Sequence, residues 1–370
     1  MASRKALGIV ALAALALAGF AVWIASGFAR EIALQRSRVA HGSRLVDTRC
    51  GVVEVAEARG EDGGHAGGEG GVGGVGGVGG VGGVGGAAPR LPLLVVHGSG
   101  GGFDQGLALA ADLVPRGWRV IAPSRFGYLR TPWPEDRAGP GASTGSTGSI
   151  GERQADQLAC LLDALGLDEV AIMGVSAGAI AATEFAVRHP RRTKALILMV
   201  PAGYRPDRPD RPEAPQPMPG WAQGLLEAVI SSDLPFWLVS RFAPDVVLRF
   251  VLATPPSEYA AAPEAEKRRV DRVMREILPI SARRRGLVHD TAATQRVPRP
   301  RLEAIGVPTL AISARDDGFG TLASASHAAQ TIPGARLLVF DRGGHLLLNH
   351  QAEVVVAIEA LLREATPRRP

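Results

Sequence analysis

From Leu91 onward the chain alternates short apolar runs with longer amphipathic ones, and that alternation leaves few folds open. The runs "LPLLVVHG", "WRVIAPS", "EVAIMG", "TKALILMV", "VPTLAISA" and "ARLLVFD" read as buried strands. Between them, "FDQGLALAADLVPRG" and "ERQADQLACLLDALG" have helical periodicity, the second with Leu158, Leu161, Leu162 and Leu165 on one face. "AGAIAATEFAVRHP" is a helix stopped by Pro190, and "AEVVVAIEALLREA" closes the pattern. Strands alternating with helices require an α/β fold, a mostly parallel sheet with helices on both faces.

The alternation is interrupted twice. "SRLVDTRCGVVEVAEARG" predicts two short strands around Arg49-Cys50-Gly51, and a tract of Gly-Gly-Val repeats follows over 63–88. Such a tract builds no core and is expected to act as a flexible insertion replacing a tight turn between neighbouring strands. From 203 to 300 the strands stop. A Pro-rich stretch leads into helical segments such as "PFWLVSRFAPDVVLRFVLA", which reads as a helical cap inserted between two strands.

At the N-terminus, Ala6 to Ala29 carry no charge, with Arg4 and Lys5 before them and Arg30, Arg36 and Arg38 after. The run is longer than a signal-peptide core and long enough to span a bilayer. It is expected to be an uncleaved anchor over 1–30, with the lipid bilayer as its partner. Export with cleavage after Ala18 or Ala29 is the alternative. Basic residues flank both ends, so they orient the segment weakly. The globular domain is expected over 43–366.

The net charge is +5, and the densest basic segment, "EAEKRRVDRVMREILPISARRRG", alternates acids with bases. That is the pattern of a solvated helix face, and with aromatics at 5% nothing resembles a nucleic-acid stripe. The two cysteines, Cys50 and Cys160, imply no disulfide framework and have no metal-like spacing. Cys160 lies in an apolar helical pattern and is expected to pack.

Two stretches match G-x-S-x-G, the pattern of a nucleophilic serine on a sharp turn: Gly174-Val175-Ser176-Ala177-Gly178 and Gly141-Ala142-Ser143-Thr144-Gly145. The turn needs a strand before the serine and a helix after it. Ser176 has both, whereas Ser143 sits in the loop-like "DRAGPGASTGSTGSIG". An activated serine also needs a base, an acid to orient it and donors for an oxyanion. In a parallel sheet these come from loops at the carboxyl ends of strands. His345 follows the last strand in "DRGGHLLLNH", behind two glycines. His97 ends a strand but reads as shaping its turn, and His327 and His350 lie in or near helices. For the acid, Asp316 and Asp317 both follow "VPTLAISA"; Asp317 lies deeper in the loop, and Asp341 is a weaker rival. The Ala177 N–H and, from the turn "HGSGGGF", the Ser99 N–H, with Gly100 next, are the expected oxyanion donors. The Gly run lacks a P-loop ending and a complete dinucleotide fingerprint.

In this order, "HGSGGG", "GVSAGA", "VPTLAISARDD" and "GGHLLLNH" resemble the α/β-hydrolase superfamily over about residues 43–366. The resemblance implies a capped hydrolase fold, a Ser-Asp-His triad, a small-molecule acyl substrate and no metal or organic cofactor. It places the acid three positions past Ala314, at Asp317. "SRFGYLR" departs from the family's usual Asp-x-x-Gly-x-Gly turn at Ser124. A serine at the elbow argues against the dehalogenases and epoxide hydrolases of this fold, which use an Asp nucleophile. In the cap, Trp221, Phe236, Trp237 and Phe242 are candidates to line an acyl pocket or to pack its core. Ester cleavage is the leading expectation; C–C or amide hydrolysis, acyl transfer and a non-catalytic binding role stay open.

Overall fold

The computed structural model describes residues 2–60, 90–134, 148–206 and 232–366. Ser143, Trp221 and the Gly-Gly-Val tract lie outside them. Among the described residues, eight strands form one sheet in the order β1-β2-β4-β3-β5-β6-β7-β8. They are β1 Arg44–Thr48, β2 Gly51–Ala58, β3 Leu93–Val96, β4 Val120–Pro123, β5 Val170–Val175, β6 Thr193–Met199, β7 Thr309–Ala314 and β8 Arg336–Phe340. All pairings from β4 to β8 are parallel; β1 and β2 form an antiparallel hairpin, and β2 pairs antiparallel with β4.

The sheet core follows from the two-residue period of a strand. Leu94, Val96, Ile172, Leu196 and Leu198 pack on one face, against α3 (Ile150–Ala164) and α4 (Gly178–Arg188). Leu93, Val95, Met173 and Ile197 pack on the other, against the helices Phe103–Leu109 (α2) and Gln351–Ala365. Helix α3 begins with a capping box, in which the Ser149 hydroxyl accepts from Glu152 N–H and the Glu152 carboxylate from Ser149 N–H.

Four findings differ from or add to these expectations. β2 and β3 are not neighbours, because β4 lies between them. The Gly-Gly-Val tract therefore joins two strands that are not neighbours in the sheet, rather than replacing a tight turn between neighbours. Second, the helix that carries the N-terminal apolar run continues past the end of that run at Ala29. It is a 40-residue helix, α1, Ala2–His41. No Gly or Pro after Gly27 stops it until Gly42, whose N–H bonds to the Arg38 carbonyl. Third, Cys50 and Cys160 form a disulfide. Cys50 lies in the turn of the β1–β2 hairpin and Cys160 on the buried face of α3, so the bond ties the hairpin to the helix packed on the sheet. Cys160 packs as well, at 3% exposed.

Fourth, the charged segment of the cap is not all solvated. The cap runs through helices Asp233–Phe242 (α5), Pro256–Ala261 (α6), Glu264–Glu276 (α7) and Arg284–Ala293 (α8). Arg283 is fully buried, and its guanidinium grips the Asp104 carboxylate at 2.7 and 3.1 Å. Arg38 of α1 donates to the same carboxylate and to the Glu276 and Leu278 carbonyls. These bonds fasten α1, cap and sheet domain at one point. Ile32 of α1 joins Phe236, Trp237, Leu248 and Ile277 in the cap's own core, and Phe28 meets Trp237 edge to face.

Candidate active site

At the end of β5 the chain turns sharply into α4. Ser176 sits at this turn with φ of 49°, a left-handed conformation unusual for a side-chain-bearing residue. Its backbone is held on both sides: Ser176 N–H donates to the Met199 carbonyl, and its carbonyl accepts from Ala179 and Ala202, each at 3.0 Å. The flanking glycines are there for space. A Cβ on Gly178 would lie 2.2 Å from the Val96 carbonyl oxygen, and one on Gly174 would lie 2.6 Å from Ala179 Cα.

His345 is carried by a short turn, Gly344–Leu346, after β8. Gly343 and Gly344 have φ of 123° and 61°. The Asp316 carboxylate accepts their two N–H groups at 3.2 and 2.8 Å, and a Cβ on Gly344 would strike Thr254 of the cap. The Asp317 carboxylate takes the other side of the loop. His345 Nδ1 lies 2.9 Å from Asp317 Oδ2. Asp317 also accepts from Phe319 N–H at 2.9 Å and from the Thr321 hydroxyl, which in turn pairs with Ser313. Burial pushes the Asp317 carboxyl up, but the His345, Thr321 and Phe319 donors outweigh it and hold it below the ordinary carboxylate range. The two neighbouring acids thus divide the work: Asp316 shapes the turn and Asp317 meets the imidazole. Asp341 is exposed and pairs with Arg315 instead.

The cap reaches into these loops. The Ala253 carbonyl accepts from both Gly318 N–H at 3.0 Å and His345 N–H at 3.4 Å, and Thr254 Oγ1 accepts from Leu346 N–H. Phe319 stands edge-on to the imidazole at 4.9 Å. Ser176 Oγ makes no hydrogen bond to His345 or to any other described group.

The glycine-rich turn after β3 lies against Ser176, since a Cβ on Gly98 would be 3.1 Å from Ser176 Cβ. Gly98 N–H is taken by Gln105, Gly100 N–H by the Tyr128 hydroxyl and Gly101 N–H by the Gly98 carbonyl. Among the described residues, the Ser99 and Ala177 amides have no such partner. His97 is a turn residue, as its position suggests. Its Nδ1 bonds to the Gly98 carbonyl at 2.7 Å, and its Nε2 accepts from Arg125 N–H at 3.0 Å. Burial, reinforced by the Arg125 charge, pushes its pKa down to about 3, so the ring is neutral.

Sequence reasoning missed the group that fixes this turn to the cap. Asp290 of α8 accepts from Ser99 Oγ at 3.0 Å, from both terminal nitrogens of Arg125 and from the Tyr128 hydroxyl. Burial raises the Asp290 carboxyl, but the Arg125 charge and the His289, Arg125 and Tyr128 donors overcome it and hold it well below the usual range. In sequence, Asp290 looks like one more charge in an Arg-rich segment. Ser124, where the chain departs from the usual turn motif, bonds to the fully buried Glu54 and accepts from Phe103 N–H. Phe236 and Trp237 are cap-core residues and Phe242 is exposed. No described group of three or more His, Cys, Asp or Glu side chains is arranged to hold a metal ion.

The family model described as the alpha/beta hydrolase fold matches residues 92–349. A 2-hydroxy-6-oxononadienedioate/2-hydroxy-6-oxononatrienedioate hydrolase from Dechloromonas aromatica is 27% identical over 68% of this chain and 80% of its own length. An alpha/beta hydrolase fold protein from Nakamurella multipartita superposes with a TM-score of 0.59 at 24% identity, covering 87% of this chain and 99% of that one. A structure of a membrane phospholipase A superposes with a TM-score of 0.55 at 19% identity, over 98% of this chain and 99% of that one. The matched model spans the elbow, the acid loop and the histidine turn, and the chain belongs to the α/β-hydrolase family.

Proposed function

We propose that this chain is a serine hydrolase of carboxylic esters, attached to a membrane by α1. Ser176 is the nucleophile, His345 the base and Asp317 the acid that orients it. With Nδ1–H donated to Asp317, the imidazole presents a free Nε2, which takes the Ser176 hydroxyl proton as Oγ attacks the acyl carbon. The carbonyl electrons move onto oxygen, where the Ala177 and Ser99 N–H groups stabilise the charge. Collapse breaks the ester bond, and His345 Nε2 protonates the departing alkoxide. Water, deprotonated by the same nitrogen, then attacks the acyl-enzyme and releases the acid and Ser176. Asp290 acts through Ser99, as a positioning residue for the oxyanion turn.

The observation that carries this reading is the His345–Asp317 pair at the carboxyl edge of the sheet whose central strand β5 leads into Ser176. The relative from Dechloromonas aromatica keeps a second reading open, hydrolysis of a C–C bond in an anionic dienoate. That reading calls for a cation free to meet a substrate carboxylate. Arg125 and Arg283, the buried cations beside the oxyanion turn, are instead committed to Asp290 and Asp104. Turnover of short-chain p-nitrophenyl esters should therefore exceed that of a 2-hydroxy-6-oxo-dienoate. The reverse preference would replace the ester reading with the C–C one.

The attachment of α1 is supported by its packing. Among the described residues it is the one helix long and apolar enough to cross a membrane. Cleavage after Ala29 would strip Phe28 from Trp237 and leave part of the cap core uncovered.

A further inference from the structure

The apolar part of α1 and the cap compete for the same residues. Ala6 to Ala29 would suffice to span a bilayer, but Ile24 and Phe28 already pack against the cap, and Trp23 lies 6.3 Å from the Phe242 ring. The apolar stretch that precedes these cap contacts runs only from Ala6 to Val22, about 17 residues or about 26 Å at 1.5 Å per residue. The hydrocarbon core is about 30 Å thick. If this helix spans, the bilayer surface must lie level with Trp23, and the part of the cap that touches Trp23 lies there too.

That part of the cap is apolar where it faces outward. Phe242, Val246, Phe250 and Val251, from the end of α5 and the helical turns after it, are all exposed, Phe250 at 71%. Phe242 meets Trp23, which is exposed like Phe20 and Val22 before it. Exposed Arg241 and Arg249 sit among the apolar cap residues, with Asp245 between, leaving one net positive charge on this edge. An apolar face edged by arginine suits the headgroup boundary of an anionic bilayer.

We propose that the cap edge formed by Phe242, Val246, Phe250 and Val251 is a second membrane contact, seated in the headgroup region of the bilayer that α1 enters. This rests on the anchor reading of α1. It bears on the site directly, because Ala253, whose carbonyl holds the acid and histidine loops, is two residues past Val251. The docked edge holds the site at the lipid surface, where acyl esters dissolved in the membrane are within reach.

The test uses the full-length chain in phosphatidylcholine vesicles containing phosphatidylglycerol, with Phe250→Cys or Ala40→Cys carrying an environment-sensitive fluorophore. Ala40 is an exposed residue of the same helix, about 26 Å beyond Trp23 along its axis. The expected result is retention of the chain after carbonate washing, with the label at 250 blue-shifted and quenched by nitroxide-labelled lipid and the label at 40 unaffected. Retention with neither label quenched would overturn the docked cap while leaving the anchor intact. Release by carbonate would overturn the anchor and the docked cap together. A label at 250 that is shielded from nitroxide lipid, and becomes exposed as protein is diluted in the membrane, would assign the edge to a second copy of the chain and overturn the lipid contact.

Discussion

Replacing Asp317 by Asn keeps the shape of the acid loop and reverses the polarity of its key contact. In the native site Oδ2 faces two donors, His345 Nδ1–H and the Thr321 hydroxyl, while Oδ1 accepts from Phe319 N–H. Asn can keep the Phe319 bond through its carbonyl oxygen, which puts its NH2 against His345. The imidazole must then carry its proton on Nε2, where the reaction needs a lone pair. The expected loss in kcat is about 10⁴-fold, or about 5.5 kcal/mol of transition-state stabilisation. Asp316→Asn is the matched comparison. One amide oxygen still accepts from Gly344 N–H, and the Gly343 bond, the longer at 3.2 Å, is lost. A lost hydrogen bond of this kind costs about 1 kcal/mol, so activity should fall about tenfold at most. Steady-state hydrolysis of p-nitrophenyl butyrate, with melting temperatures to check folding, measures both. An Asp316→Asn loss equal to or larger than that of Asp317→Asn, in folded protein, would refute the division of roles between the two acids.

Other outcomes follow from the same structure. His97 is neutral in the folded state down to about pH 3, whereas the unfolded side chain takes a proton near its ordinary value of 6.5. Because the unfolded state binds the extra proton, stability should decline as pH falls below about 6.5, by about 1.4 kcal/mol per pH unit, and level off near pH 3. Chemical denaturation at pH 7, 6 and 5 reads this slope, and a folded His97→Gln variant should lose it. Gly98→Ala places a methyl group against Ser176 and the Val175 carbonyl, so kcat/KM should fall more steeply than the melting temperature. A variant with unchanged kcat/KM would put the oxyanion turn elsewhere. Cys50→Ser opens a loop of about 110 residues and should cost up to about 4.7 kcal/mol, read by denaturation with and without reductant. Identical curves for the oxidised native chain and the variant would show that the bond contributes nothing to stability.

Much of this architecture is legible in the sequence because the signals are local. Strand runs alternate with amphipathic helices, and the small residues around Ser176 report a turn in which a side chain at 174 or 178 would collide with backbone. His345 is legible for the same reason, through the two glycines that bring its turn against Thr254. What escapes depends on which distant segments meet. Cys50 and Cys160 are joined across a separation of 110 because the β1–β2 hairpin lies beside α3, and spacing alone carries no sign of that. Asp290 and Arg283 have the surroundings of surface charges in sequence, and their burial appears only once the cap closes over Ser99 and Asp104. The length of α1 was hidden by the change from apolar to charged residues near Arg30, which alters what the helix touches but not its propensity to continue.

The central claim is that Ser176 is the nucleophile. It is tested most directly by treating the folded chain with a fluorophosphonate and mapping the adduct by peptide mass spectrometry. A single adduct on Ser176 is expected, lost in Ser176→Ala and His345→Ala and retained in Ser143→Ala. Folded protein that stays unlabelled, or an adduct that persists in Ser176→Ala, would contradict that claim.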